Sequence, residues 1–289
     1  MRAAHRLALI TGGATLLLIL AGGLVTNTGS ALAVPDWPTT FGHNMFLYPW
    51  SQMVGGVFYE HSHRLLGSLV GLLTLGLAAT LWRLGGGLRV AGVVAVVAVI
   101  GQGVLGGLRV VLLQDALAIL HGCLAQAFFA LVAALTLATS PRGRRPVAPL
   151  EPGVRTATVL AATLVYVQIV FGALLTHAGW LEVHLAGALA VFALVPVAAA
   201  RLRRSGDAVA VPLARSLLAL LVLQLGLGVV TLVARLAPEA MPAPALLLAL
   251  PVAHRLAGSL ILAASVMLAL RVCSAVRQAP VLREVAETA

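Results

Sequence analysis

His63-Arg-Leu-Leu-Gly67-Ser-Leu-Val-Gly-Leu-Leu-Thr-Leu-Gly-Leu-Ala-Ala-Thr-Leu-Trp82 is an apolar run headed by a histidine and an arginine, with no further charge before Arg83. A hydrocarbon core of about 30 Å takes about 20 apolar residues in a helix, so this stretch reads as one membrane crossing. Its opening returns near the other end of the chain as His254-Arg-Leu-Ala-Gly258-Ser. Between them, His121-Gly-Cys-Leu-Ala and His184-Leu-Ala-Gly open two more apolar segments. An ionisable side chain inside a span is costly and is therefore usually functional. Four of them at matching depth, on every second span, read as two pairs.

Composition agrees with a membrane class. Of 289 residues, 61% are hydrophobic and 10% charged, whereas a soluble domain carries about 25% charged residues. The net charge of +10 invites a nucleic-acid reading, but all the basic residues are arginines set in short runs between apolar segments, as topology signals are. Cys123 and Cys273 both fall in expected spans and form no CxxC motif. The apolar run after Arg6 is long enough to be the first span itself rather than a cleaved signal.

Eight stretches are long enough to cross: 7–26, 55–82, 89–109, 117–139, 156–176, 182–201, 212–234 and 248–271. The expected fold is an all-α integral membrane protein of eight transmembrane helices, built as two repeat-related four-helix bundles. The N-terminal half is 1–140, the linker 141–155 is cytoplasmic, and the C-terminal half is 156–289. Short connections at 110–116 and 177–181 make their neighbours antiparallel. The long connection 27–54, rich in Pro, Trp, Asn and Thr, is expected to fold as a cap on one face.

With a cytoplasmic N-terminus, 15 of the 19 arginines fall on the inner side: Arg2, Arg6, Arg83, Arg89, Arg142, Arg144, Arg145, Arg155, Arg201, Arg203, Arg204, Arg215, Arg271, Arg277 and Arg283. That bias is a strong positive-inside signal. It puts both termini in the cytoplasm of a bacterial inner membrane, and the 27–54 loop with the four histidines toward the outer face. The second half repeats the first, and three odd spans share a Gln followed four residues later by Gly: Gln102/Gly106, Gln168/Gly172 and Gln224/Gly228. Glycines there, with Gly67 and Gly258, let helices close around a flat cofactor.

Imidazole pairs on facing helices are a common way to hold a haem iron. The expected pairs are His63 with His121 and His184 with His254. The plainer account of any one histidine is a polar residue bonded to a backbone carbonyl, which four repeat-related positions make less economical. His5, in a cytoplasmic tail, His43, in the loop, and His177, at a span end, are given no ligand role. Nor is His61, which should point away from the His63 face.

Glu60 stands one helical turn before His63, a candidate acid, base or water-binding group; the equivalent place before His254 is Pro251. One site is therefore expected to do chemistry and the other to move electrons. The competing account of Glu60 is an ion pair with Arg64 or Arg109. Arg64, Arg109, Arg235 and Arg255 at the outer ends are candidates for haem propionates, since guanidinium forks bind carboxylates; snorkelling to the interface explains each alone about as well.

The run from Val25 through Pro35-Asp36-Trp37-Pro38, followed by Glu60-His-Ser-His63-Arg64, resembles the haem A synthase family. The later histidine segments and the duplicated eight-span layout fit as well, so the resemblance covers nearly the whole chain. It implies oxidation of the C8 methyl of haem O to a formyl group by two successive hydroxylations, with oxygen from water. It implies His63 and His121 flanking the substrate haem, with Glu60 catalytic beside it. It implies His184 and His254 ligating a haem b cofactor that carries electrons away. Partners implied are a haem O synthase and cytochrome oxidase assembly factors; the oligomeric state stays open. Many members carry a disulfide-linked cysteine pair in the first outer loop. This chain has no cysteine there, and Asp36, Trp37 and the aromatic stretch to Trp50 are expected to hold the loop instead.

Two rival readings stand beside this one. A di-haem b-type electron-transfer cytochrome linked to quinol explains the histidines but leaves Glu60 and the capped face without a task. A transporter or haem-handling assembly protein should show broken helices at mid-membrane in both halves, and the Pro and Gly positions give no such pair.

Overall fold

A computed structural model describes residues 1–287, with side chains through Ser274. The last two residues of the expected C-terminal half, and the side chains of Arg277 and Arg283, fall outside it. Eight helices follow in order: α1 (Arg2–Asn27), α2 (Gly55–Leu84), α3 (Gly86–Leu112), α4 (Asp115–Thr139), α5 (Val154–Ala178), α6 (Leu181–Arg204), α7 (Ala210–Leu236) and α8 (Ala245–Glu287). All eight are long and apolar enough to cross a membrane, α8 over Ala245–Ser274. The chain is an all-helical, multi-pass membrane protein, with no strand among the described residues.

The expected spans all occur, and most helices run two or three residues past the apolar edges. Backbone hydrogen bonds have no reason to stop where hydrophobicity does, because an unpaired peptide group near lipid is expensive. One expectation is corrected by this: His5 lies within α1, not in a tail, and its Nδ1 is 3.1 Å from the Thr136 carbonyl of α4. Between α2 and α3 the chain reverses on Gly85 alone, at φ +74° and ψ −169°, a conformation that L side chains avoid.

Each helix packs on its successor, and α4 also returns to α1 while α8 returns to α5. The two rings meet where α4 and α1 lie on α8 and where α4 meets α5. Ile19, Phe129 and Ala263 fill that seam, with Leu16, Ala133, Leu256 and Leu260 against them. The larger core lies in the second ring, around Val195, Leu202, Leu221, Leu262 and Leu268.

On the face opposite the 28–54 loop, Arg271 is buried at 2% exposure although the sequence placed it with the surface topology arginines. Its Nε and Nη2 donate to the two carboxylate oxygens of Asp207, at 3.0 and 2.7 Å. The same guanidinium holds the carbonyls of Arg145 and Pro146, at 2.7 and 2.8 Å. Asp207 in turn accepts from the N–H groups of Ala148, Val209 and Ala210. One ion pair thus ties the linker after α4, the α6–α7 turn and α8 together. Burial alone would raise the Asp207 pKa, but the Arg271 bond and the three N–H donors prevail and hold it at about 2.

Candidate functional site

The four histidines come together as two pairs of nearly equal geometry. His63 of α2 faces His121 of α4 with ring centroids 6.3 Å apart and planes at 65°. His184 of α6 faces His254 of α8 at 6.2 Å and 68°. Each ring also meets a glycine of the preceding helix. A Cβ on Gly22 would lie 3.2 Å from His63, on Gly106 3.3 Å from His121, on Gly172 3.5 Å from His184, and on Gly228 3.2 Å from His254. The Gln/Gly pattern of the odd spans is therefore a packing feature: the glycine admits the imidazole.

The donor chemistry suits a metal that brings its own in-plane ligands. Among the described residues no group of three or more His, Cys, Asp and Glu side chains gathers to hold a bare ion. Two imidazoles are what a porphyrin iron lacks. Two metal–nitrogen bonds of about 2 Å, added to two ring radii, span a centroid separation of this size. One imidazole nitrogen in each pair, Nδ1 of His121 and Nδ1 of His254, is buried without a hydrogen-bond partner. The residues present fit a haem in both places.

Above the first pair the loop folds back as a cap. Glu60, at 4% exposure, is bound through both oxygens: Oε1 accepts from Arg64 Nη2 at 2.7 Å, and Oε2 from the Val34 N–H at 3.0 Å. Arg64 also donates to the carbonyls of Val34, Asp36 and Thr39. The ion pair weighed for Glu60 is thus present, and both Nη groups of Arg64 are spent on the loop rather than left for a propionate. Asp36 closes the loop's tip, accepting from Thr39 Oγ1 and the N–H groups of Phe41 and Gly42. Partial burial would raise its pKa, but those bonds lower it below the ordinary aspartate value. The Trp37 ring lies flat on Gly107 of α3, where any side chain would collide with it.

His61, expected to point away from the His63 face, does so and is an anchor of this cap. It is 1% exposed, meets Thr40 Oγ1 through Nδ1 at 3.1 Å, and packs against the Tyr48 ring. It turns to the loop while His63 turns to His121. Arg109 and Arg255 are half-buried and Arg235 is exposed, and none makes a hydrogen bond or ion pair among the described residues. The Arg255 guanidinium lies against α1, 3.7 Å from where a Gly23 Cβ would stand. Cys123 and Cys273 are both free thiols.

Fold and site define a multi-pass helical membrane protein with two facing imidazole pairs, one of them capped. Residues 5–181 match the COX15-CtaA family model, described as cytochrome oxidase assembly protein; the match spans more than half of the sequence, and the chain belongs to this family. A protein named "Heme A synthase" from Shouchella clausii is 33% identical over 180 residues, covering 60% of this chain and 58% of that one. Another of that name, from Alkalihalophilus pseudofirmus, is 32% identical over 175 residues, with 58% of each covered. The chain thus spans about 58% of the length of these relatives. The family match stops three residues short of His184, so the second pair stands on its own geometry.

Proposed function

We propose that this protein is a haem A synthase of a bacterial inner membrane, with both termini cytoplasmic and the cap on the outer side. In this reading residues 1–140 and 156–289 are repeat-related halves joined by a cytoplasmic linker. Haem O is the substrate of the first half, held between His63 and His121. Its C8 methyl is hydroxylated twice, each step adding oxygen from water and removing an electron pair and two protons. The resulting geminal diol loses water to leave the formyl group. Haem b, held by His184 and His254, supplies a one-electron acceptor when bound.

The single observation that carries this reading is the asymmetry between otherwise matched pairs. Both have facing imidazoles backed by glycines, and only the first has a buried carboxylate one helical turn before a histidine and a folded cap over it. Near the N-terminal end of α2, Glu60 is tied to the cap through Arg64 and the Val34 N–H, so a role for this carboxylate as acid or base is coupled to the cap's position. Arg109, Arg235 and Arg255, with no partner of their own, are the propionate candidates that remain. A haem O synthase and cytochrome oxidase assembly factors are the expected partners.

One observation favours the alternative, a di-haem b electron-transfer cytochrome: Glu60 is held through both oxygens, by Arg64 and the Val34 N–H, as a structural carboxylate would be. Extraction and chromatography of haems from cells making this protein with a haem O synthase separates the two. Haem A that disappears when the gene is omitted supports the synthase. A well-folded, haem-loaded preparation yielding haem b and unconverted haem O overturns it.

A further inference from the structure

The outer surface of the cap is unlike that of the other long connection. From Trp37 to Tyr59 the sequence carries no Asp, Glu, Lys or Arg. The connection 140–153, in contrast, carries Arg142, Arg144, Arg145 and Glu151 and exposes no large apolar side chain. Within the charge-free stretch, two single-turn 3-10 helices, Met45–Leu47 and Trp50–Gln52, precede α2, and the first of them packs on it. Tyr48 and Met53 are buried beneath, with the Tyr48 ring against His61. Phe46, Leu47, Trp50 and Val54 are exposed. Leu47 and Trp50, at 78% and 77%, are the most exposed large apolar side chains among the described residues. The aromatic stretch expected to hold the loop does so through Tyr48, while Trp50 faces out.

A single exposed apolar residue needs no explanation, but a ridge of them outside the spans does. Its place in the fold says what covers it. Val54 is the residue just before α2, so the ridge sits where a span leaves the hydrocarbon. One turn further on, Phe58 begins an exposed apolar stripe that continues through Leu69 and Leu72, three and four turns along the same face of α2. That stripe is the lipid-facing side of a membrane helix, and the ridge prolongs it. Tryptophan and the other aromatics are the residues that settle at headgroup level. The segment also holds no charge that contact with lipid would have to strip of water.

We infer that Phe46, Leu47, Trp50 and Val54 seat the cap in the lipid leaflet on its side of the membrane, at the boundary of headgroups and acyl chains. The cap is then held from two sides, within by Glu60, Arg64 and His61 and without by lipid. A leaflet that grips the outer surface of the cap limits how far it can lift from the first histidine pair. Because the ridge is apolar and carries no basic residue, it takes a neutral lipid surface as well as an anionic one.

The test is tryptophan fluorescence of the full-length protein in phosphatidylcholine vesicles whose acyl chains carry bromine at a set depth. The difference between wild type and Trp50→Phe isolates the emission of Trp50. That emission should lie at shorter wavelength than an aqueous indole's and should resist iodide in the water. It should lose more intensity to bromine near the headgroups than to bromine at the chain ends, with no dependence on salt or added anionic lipid. Trp50 quenched by iodide and untouched by brominated lipid overturns the inference. So does Trp50 shielded from both, which would place a second copy or another protein on the ridge. A second measurement reads the consequence for the cap. Leu47→Asp combined with Trp50→Asp should raise protease cleavage within 28–54 several-fold in vesicles and leave the melting temperature of the bundle unchanged. Cleavage at the wild-type rate would show that lipid does not hold the cap. If the double variant does not insert, the quenching of the wild type decides alone.

Discussion

At the scale of single residues, the site is made by what is small as much as by what is reactive. With a Cβ on Gly228 only 3.2 Å from His254 Cε1, the branched side chain of Gly228→Val has to displace the imidazole, since packed interiors do not absorb two extra methyls freely. That variant should lose the second-site haem signal, read as the reduced-minus-oxidised difference spectrum, with unchanged helix content. A normal spectrum would show that the glycine only eases helix packing. Glu60 raises a different question, because one carboxylate both clamps the cap and stands one helical turn before His63. Glu60→Gln keeps an acceptor for the Val34 N–H but removes the charge that pairs with Arg64. If the charge matters for chemistry, Glu60→Gln and Glu60→Ala both stop formation of haem A while the haem b spectrum stays intact. Protease cleavage within 28–54 should increase in Glu60→Ala more than in Glu60→Gln. Haem A production at the wild-type rate in either variant would reduce Glu60 to a clamp.

At the scale of elements, the Asp207–Arg271 pair decides how the linker and α8 meet the rest. Removing one partner of a buried, fully bonded ion pair costs about 3–5 kcal/mol, chiefly because the other charge is left unpaired. Arg271→Ala should therefore lower the melting temperature sharply and expose 141–153 to proteolysis, and Asp207→Asn should do so less. The pH dependence follows from the direction of the Asp207 shift. Its folded pKa of about 2 lies below the ordinary aspartate value, so its contribution is complete above that value and is lost as pH falls toward about 2. The melting temperatures of wild type and Asp207→Asn should converge over that acid window; a constant gap would remove Asp207 from the acid response. None of this was legible in the sequence, where Arg271 looked like one more positive-inside arginine. The eight helices were legible because long apolar runs have only one way to cross a bilayer. The four histidines were legible because they recur at matching positions. Arg271 with Asp207, and Glu60 with Val34, are joined across 64 and 26 residues of chain. Such contacts are set by how helices and loops are brought together, which hydropathy does not encode. The Gln/Gly spacing lay between these cases: the pattern was visible, but not that each glutamine reaches the next helix's histidine.

At the scale of the whole molecule, the helices that carry one histidine of each pair are packed against each other. His121 is on α4 and His254 on α8, and α4 lies directly on α8 along the seam filled by Phe129 and Ala263. On the proposed reading, two oxidations of a methyl group release electrons that have to leave the first half, and this seam joins a ligand helix of each pair directly. Substrate binding, on the same proposal, involves His63, His121 and the cap, which belong to α2, α4 and the 28–54 loop. The two functions should therefore separate cleanly by mutation. His184→Ala should lose the haem b signal, keep haem O bound and extractable in the first half, and make no haem A. Single-turnover oxidation in that variant should recover when a soluble one-electron acceptor of suitable potential is added. Glu60→Ala should behave in the opposite way, with haem b retained and no recovery by an added acceptor, since it lacks the proton-transfer group rather than the electron route. Haem A formed by His184→Ala at the wild-type rate without an acceptor would show that electrons leave by another path. It would also reduce the second pair to a structural haem site.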